Sequence, residues 1–343
     1  MIILGKKMKY LLALLTLLMV LSLFGILVQA KNLTIYYGMG ADHFAPVIAA
    51  FEKATGIEVD EFRAPTEEML TVVELEFMAG KPKADIIIAA EPQMVSLQNK
   101  YDAFAEYTPK YQDKLLSSMQ VYAPLYTPLG MQLYILAYNS NIISAEEAPK
   151  KWADLLDPKW KNKIAMADPK SSASVHGAIW FVAQHLYEEY GEPYGWKYFE
   201  ELAKLNPTLT AGHGPIRDLI ATGERPLGIQ LISSEIPQYN AGEPVRWNVP
   251  EEGTPVETQL AAMVKGTSNI EEAQAFLDFI VSVDGQTLMW EIAVLIPARD
   301  DVSYEFPDGT KAGDYTLVPI IAEEVDRELN MQKMQEAMDK VKY

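Results

Sequence analysis

The chain has 343 residues, no cysteine, four histidines and a formal net charge of −18. The missing thiols exclude cysteine nucleophiles, disulfides and a lipid anchor carried on a cysteine, and the acidity argues against nucleic acid or a polybasic membrane patch, since both need clustered Lys and Arg. A chain this long is expected to build two cores rather than one.

Residues 1–30 read as a targeting segment. Lys6, Lys7 and Lys9 form a positive start, Leu11 to Val28 is an apolar run, and Val28-Gln29-Ala30 offers the small residues a signal peptidase reads. The run is also long enough to span a bilayer. Cleaved secretion and an uncleaved anchor both stand, and both put the remaining chain outside the cytoplasm. Without those three lysines the net charge of −18 becomes −21, so any anion site must be made locally from backbone amides and a few basic groups.

Asn32 to Tyr37 is an opening strand, the loop Gly38-Met39-Gly40-Ala41-Asp42 follows, and a helix runs through Phe51 to a stop at Thr55-Gly56. Ile57 to Phe62 is the second strand. The pair makes a βαβ unit, with parallel strands and ligand contacts at their C-terminal ends. Arg63-Ala64-Pro65-Thr66 leads into a helix with Glu67 and Glu68 in its first turn, where acids complement the dipole. Ala84 to Ala90 is a buried strand that delivers Glu91 to the same edge. Beyond it, Tyr101, Tyr107, Tyr111, Tyr122 and Tyr126 fill an irregular stretch and are candidates for a cleft lining. Met131 to Tyr138 is the next long strand and the expected first crossing into a second domain.

In that domain Lys163 to Ala167 is a strand stopped by Asp168-Pro169. Ser171-Ser172-Ala173-Ser174 then precedes a helical pattern of Val175, Ala178, Ile179, Val182 and Leu186. A strand ending in a serine loop over a helix N-terminus can hold an anion on free amides and hydroxyls, although serines there also serve as plain N-caps. Tyr187 to Leu205 reads as helix, Thr208 to Gly214 as a short strand and glycine loop, and Ile216 to Thr222 as helix. Leu227 to Ile232 reads as a strand ending in Ser233-Ser234-Glu235. Gly212, His213 and Glu235 therefore fall at the same end as Ser172, and His185 is placed as structural. Thr258 to Val264 crosses back, and helices from Ile270 and Gly285 complete the first domain. Tyr315 to Tyr343 reads as an amphipathic helical tail, with Met331, Met334 and Met338 as packing residues. The fold class expected is α/β, with two domains, two hinge crossovers and C-terminal helices. Its bounds are 31–130 with 258–300, then 131–257, then a C-terminal helical segment 301–343.

The chain carries no GxSxG elbow, no phosphate loop ending in GK[ST], no HExxH and no GxGxxG. Its histidines, His43, His176, His185 and His213, are too dispersed for a dense histidine metal centre. Weight shifts to closure of two domains over a small ligand, without turnover, cofactor or resident metal.

The segment Ala148 to Pro169 (APKKWADLLDPKWKNKIAMADP) resembles the corresponding stretch of ferric-iron-type periplasmic substrate-binding proteins of ABC transporters. Phe51 to Val59, Ala84-Asp85-Ile86, Ala137 to Asn141, Gly223-Glu224 and Pro250 to Pro255 match in the same order. The resemblance implies a type II periplasmic-binding fold, an interdomain cleft that closes by hinge motion, and an ABC permease as partner to a monomeric binding protein. It also implies an anion held by Ser171, Ser172, Ala173 and Ser174, and relatives with this loop take up phosphonates or sugar phosphates. The family's iron ligands are poorly matched: Ser234-Glu235-Ile236 stands where adjacent tyrosines are expected, His43 falls a turn beyond the expected histidine, and Glu91 lies near the acidic position. A small anionic or anion-complexed ligand is therefore expected. Gly38, Met39, Gly40, Ala41 and Thr66 would face the serine loop, Arg63 or Arg217 would balance charge, and Glu91 and Glu235 would suit an amine, a hydroxyl or a cation. Ferric ion on a non-tyrosine ligand set, a sensor subunit, and an enzyme on the same fold are the alternatives.

Overall fold

The structure, a computed structural model, describes residues 32–340, so the targeting segment at residues 1–30 lies outside the described residues. The strands are β1 (Leu33–Tyr37), β2 (Val59–Arg63), β3 (Ile86–Ala90), β4 (Thr127–Asn139), β5 (Ile164–Ala167), β6 (Thr208–Thr210), β7 (Leu227–Leu231), β8 (Val245–Asn248), β9 (Thr254–Met263) and β10 (Leu317–Pro319). They join in the order β2-β1-β3-β9-β4-β7-β5-β6, with β10 beside β9 and β8 beside β4. The helices that matter below are α1 (Ala41–Thr55), α2 (Thr66–Met78), α3 (Glu91–Tyr101), α4 (Val175–Trp180), α5 (Trp196–Lys204), α6 (His213–Thr222), α7 (Ile232–Asn240), α8 (Ile270–Ile280), α9 (Val283–Glu291) and α10 (Arg327–Asp339).

β1 pairs parallel with β2 and β3, and β5 pairs parallel with β6 and β7, so helices must return over the sheet faces between them. That explains why β3 (IIIAA) and β7 (LGIQL) are buried throughout rather than alternating. Around β1 and β3 the period of two still sorts side chains. Leu33, Ile35, Ile86 and Ile88 pack with Phe44, Phe51 and Phe276 on one face, and Tyr36, Ile87 and Ala89 pack with Met69, Leu70 and Met94 on the other. A third cluster, around Tyr134, Trp152, Trp180, Phe181, Tyr198 and Ile229, fills the other half of the sheet.

β4 and β9 run through both halves. The first part of β4, through Leu133, pairs with β9, and its second part, from Tyr134, pairs with β7 and β8. β9 likewise pairs with β10 through Thr254 to Val256 and with β3 through Gln259 to Met263.

Three local expectations need correction. The helix expected from Tyr187 to Leu205 breaks after Tyr190 and restarts at Trp196, because Gly191 (φ 69°) and Gly195 (φ 82°) take left-handed backbone on either side of Pro193. The strand Leu227 to Ile232 stops at Leu231, and Ile232 starts α7, so Ser233, Ser234 and Glu235 form a first helical turn instead of a loop. The tail is not helical from Tyr315: Leu317–Pro319 is strand β10, a 3-10 turn covers Ala322–Glu324, and only Arg327–Asp339 is helix. β-branched Thr316 and Val318 favour the strand, and Pro319 removes an amide that a helix would need. Asp326 caps α10 by accepting from the Leu329 amide at 2.9 Å, and Met334 and Ala337 bury into the cluster of Trp180. No described helix is long and apolar enough to cross a membrane.

Candidate functional site

The C-terminal ends of β1, β2 and β3 face those of β5, β6 and β7 across a cavity of about 470 Å3. Six helices begin on its wall. Their N-cap residues, Gly40 (α1), Pro65 (α2), Ala90 (α3), Ser174 (α4), Gly212 (α6) and Leu231 (α7), all line the cavity, and none caps its helix through its side chain. Gly, Pro, Ala and Leu have no side-chain acceptor to offer, so the first amides of those helices are left for a ligand. Positive dipole ends add to one another there, and Arg63 and Arg217 stand on the same walls.

Close approach of β1 to α2 depends on Gly38. A Cβ at that position would lie 2.3 Å from Thr66 Oγ1 and 3.0 Å from Thr66 Cα. On the facing wall, the Asp168 carbonyl accepts from the amides of Ser171 (3.0 Å) and Ser172 (2.9 Å), which folds the serine loop over the end of β5. The amides of Ala173 and Ser174 have no partner among the described residues.

Hydroxyl directions in this loop follow from Gln230. Its Oε1 accepts from the Leu231 amide (3.0 Å) and its Nε2 donates to the His213 carbonyl (2.9 Å), so two backbone groups fix the side-chain amide. Oε1 also meets His213 Nδ1, which must therefore be the donor. Nε2 of His213 is then an acceptor, and the Ser174 hydroxyl donates to it at 2.8 Å. Ser172 Oγ lies 3.1 Å from Ser174 Oγ. Burial lowers the His213 pKa to about 4, against the opposing pull of Gln230, in keeping with a neutral ring.

The floor is made where β4 and β9 pair, with Gln132 directly opposite Glu257. Glu257 is 4% exposed and accepts from Gln259 Nε2 at 2.6 Å and from the Tyr134 hydroxyl at 3.1 Å. Ser233 Oγ donates to Gln132 Oε1 at 2.6 Å. Burial raises the Glu257 pKa to about 7, with the bonds from Tyr134 and Gln259 pulling it down. Tyr134 also bonds to the Ser174 carbonyl, yet its hydroxyl has one proton. A protonated Glu257 donates to Tyr134 and lets it serve Ser174, whereas an ionised Glu257 competes for the Tyr134 proton. Floor and serine loop thus share one hydrogen-bond chain.

Of the residues singled out from sequence, Gly38, Met39, Gly40, Thr66, Ser171, Ser172, Ala173, Ser174, Gly212 and His213 are brought together on the cavity wall. Ala41, Glu91 and Glu235 are not. Ala41 is exposed at the start of α1, and Glu91, first in α3, accepts from the Tyr122 hydroxyl at 2.7 Å. Glu235 is fully buried in α7, because the helix starts where a loop was expected and turns the side chain inward. None of the five tyrosines lines the cavity; Tyr107, for instance, donates to Asp278 at 2.8 Å.

Gln93, Gln132, Glu257 and Gln259 line the cavity without having been foreseen, and Ser233 and Ser234, which the sequence places at the strand end without a ligand role, line it too. The available signal was polarity inside otherwise apolar strands: Glu257 and Gln259 are two apart, hence on one face, and Gln132 interrupts MQLYILAY. Among the described residues no group of three or more imidazoles, carboxylates or thiols is placed to hold a metal ion.

Residues 81–316 match the family model of the bacterial extracellular solute-binding protein. A Salmonella typhimurium protein named "putative 2-aminoethylphosphonate-binding periplasmic protein" is 26% identical over 259 residues, 74% of this chain and 73% of that protein. An uncharacterized protein of Haemophilus influenzae is 26% identical over 232 residues, 64% of this chain and 65% of its own length, so the chain spans a little under two thirds of that relative. Among solved structures, the periplasmic binding protein AfuA from Actinobacillus pleuropneumoniae, with exogenous fructose-6-phosphate bound, aligns with a TM-score of 0.76 at 22% identity, over 91% of this chain and 98% of that one. Iron-bound HitA from Pseudomonas aeruginosa aligns with a TM-score of 0.75 at 18% identity, over 89% and 99%. These two likenesses establish a shared fold.

Proposed function

The chain belongs to the bacterial extracellular solute-binding protein family, and on that premise we propose that it binds a small organic phosphonate or phosphate ester in its cavity and delivers it to an ABC permease, without turnover. The observation that carries this reading is the set of six uncapped helix N-termini around one cavity. An anion there takes hydrogen bonds from amides that have no other partner, in a chain whose overall charge would repel it. The ligands named for the Salmonella and Actinobacillus proteins support the choice of a phosphorus oxyanion.

The anion end would sit between Gly38, Met39, Gly40 and Thr66 on one wall and Ser172, Ala173, Ser174, Gly212 and His213 on the other, with Arg63 and Arg217 adding charge. One lobe comprises residues 32–130 with 258–300 and the other 131–257, to which the C-terminal segment is fastened by α10. Bending of β4 and β9 would close them over the ligand. The protein would act as a monomer outside the cytoplasm, exported by residues 1–30.

Titration calorimetry and thermal unfolding with 2-aminoethylphosphonate, fructose-6-phosphate, inorganic phosphate and ferric ion test this. A ligand at a hundred times its Kd should stabilise the protein by about 2.7 kcal/mol. Stabilisation by ferric ion alone, or by none of the four, would overturn it.

A further inference from the structure

The cavity has walls that donate and, at Glu257 and Gln259, acceptors on its floor. Glu257 is 4% exposed on the cavity wall, and among the described residues no basic side chain pairs with it. Arg63 Nε donates to the Met39 carbonyl at 3.0 Å and Arg217 Nε to Asp218 at 3.1 Å, and neither guanidinium forms an ion pair with Glu257. Gln259 spends an Nε2 hydrogen on Glu257, which leaves its Oε1 as an acceptor beside the carboxylate. Gln132, opposite Glu257 in the strand register, already turns its Oε1 to Ser233. A buried carboxylate without a cation is costly, and the cavity is the open side from which one can come.

We propose that Glu257 is a cation subsite and that the ligand is a zwitterion, its phosphorus oxyanion held at the helix N-termini and its ammonium group seated on the Glu257 carboxylate beside Gln259. The proposal rests on the anion reading of the walls. An ammonium offers three N–H donors and no acceptor, which suits the Glu257 carboxylate and the Gln259 Oε1, and it cancels a carboxylate charge that a neutral hydroxyl would not. Binding also moves a proton. Without ligand, burial holds Glu257 near neutrality, at about 7, where the titratable group facing it is Tyr134. An arriving ammonium favours the ionised carboxylate, so a proton leaves Glu257 for solvent and the Tyr134 hydroxyl turns to it.

Calorimetry at pH 7, in two buffers of different ionisation enthalpy, would compare 2-aminoethylphosphonate, 2-hydroxyethylphosphonate and ethylphosphonate on the protein and on Glu257→Gln. The protein should prefer the amine over ethylphosphonate by at least about 30-fold, the lower end of the loss expected when a buried charge is left without its partner. It should release more protons with the amine than with ethylphosphonate. Glu257→Gln should lose both the preference and the extra proton, whatever its own affinity for ethylphosphonate. Equal affinity for the amine and ethyl compounds, a preference for the hydroxyl compound, or a preference that survives in Glu257→Gln would each overturn the subsite. If phosphate esters bind and phosphonates show no amine preference, the wall reading stands and the subsite falls; if no phosphorus oxyanion binds, both fall. The ligand series on the unaltered protein decides even if the variant folds poorly.

Discussion

Glu235→Gln should stabilise the protein at alkaline pH and leave ligand affinity unchanged. Glu235 is fully buried off the cavity, and neither carboxylate oxygen has a hydrogen bond of ordinary geometry. Burial raises its pKa from 4.5 to about 7, with Gln230 and Arg217 pulling the other way. A folded-state pKa above the unfolded one means that the native chain holds the proton more tightly. That contribution is fully present below pH 4.5 and is lost as pH rises through 7. Between pH 5 and pH 8 the loss amounts to roughly 2.5 kcal/mol. Glutamine has the same shape and no such titration, so the gap between variant and wild type should widen by that amount over the interval. In a chain of this size it corresponds to about 4 °C in Tm. Glu257 shifts in the same direction and His176 and His213, both lowered to about 4, in the opposite one, so absolute curves mix four groups while the difference curve isolates Glu235. Urea and thermal unfolding at pH 5, 6, 7 and 8 provide the measurement. Parallel curves would refute the burial argument, and weakened ligand binding would put Glu235 back in the site.

Replacing Ser172 and Ser174 together by Asp should cut affinity for a phosphorus oxyanion by more than about 100-fold through like-charge repulsion, with circular dichroism and Tm little changed; undiminished affinity would remove that loop from the anion site. Gly38→Ala sets a methyl 2.3 Å from Thr66 Oγ1, and an overpacking cost of about 1–3 kcal/mol should appear in urea unfolding. A Gly38→Ala protein as stable as wild type would mean that α2 shifts freely. Arg327, at the start of α10, pairs with Glu67 in the first turn of α2, and both side chains are about a quarter exposed, 27% and 25%. Arg327→Ala should cost no more than about 1 kcal/mol, yet it should raise the radius of gyration of the ligand-free protein in X-ray scattering. An unchanged radius would show that this pair does not hold the two halves together.

The elements and the walls were legible because their signals are local. Gly56 ends α1 in left-handed backbone (φ 74°) where the sequence places a stop, and IIIAA is a strand buried on both faces. Loops at strand ends carry Gly, Ser and Pro, so Gly38, Gly40, Ser172 and Gly212 could be marked in advance. What failed was phase. Starting α7 at Ile232 rather than later rotates Glu235 by about 100° per residue, enough to exchange a cavity for a core. The floor was hidden for a different reason. Gln132 and Glu257 meet only through the β4–β9 register, and nothing near either residue encodes that pairing. Tertiary pairing likewise claimed Leu317–Pro319 for β9, where amphipathic spacing alone favoured helix.

In the closure proposed above, the two strands that run through both halves would give the cavity a stationary part and moving parts. A rotation about β4 and β9 displaces atoms in proportion to their distance from that axis, so the rims at Thr66 and Ser172 sweep far while Gln132 and Glu257 hardly shift. A solute can therefore rest on the pivot before the rims arrive, and leave it last when they part. Floor substitutions should then change the affinity of the open and the closed protein alike. Rim substitutions should act mainly on how readily the loaded protein shuts, and so on how long it keeps its cargo.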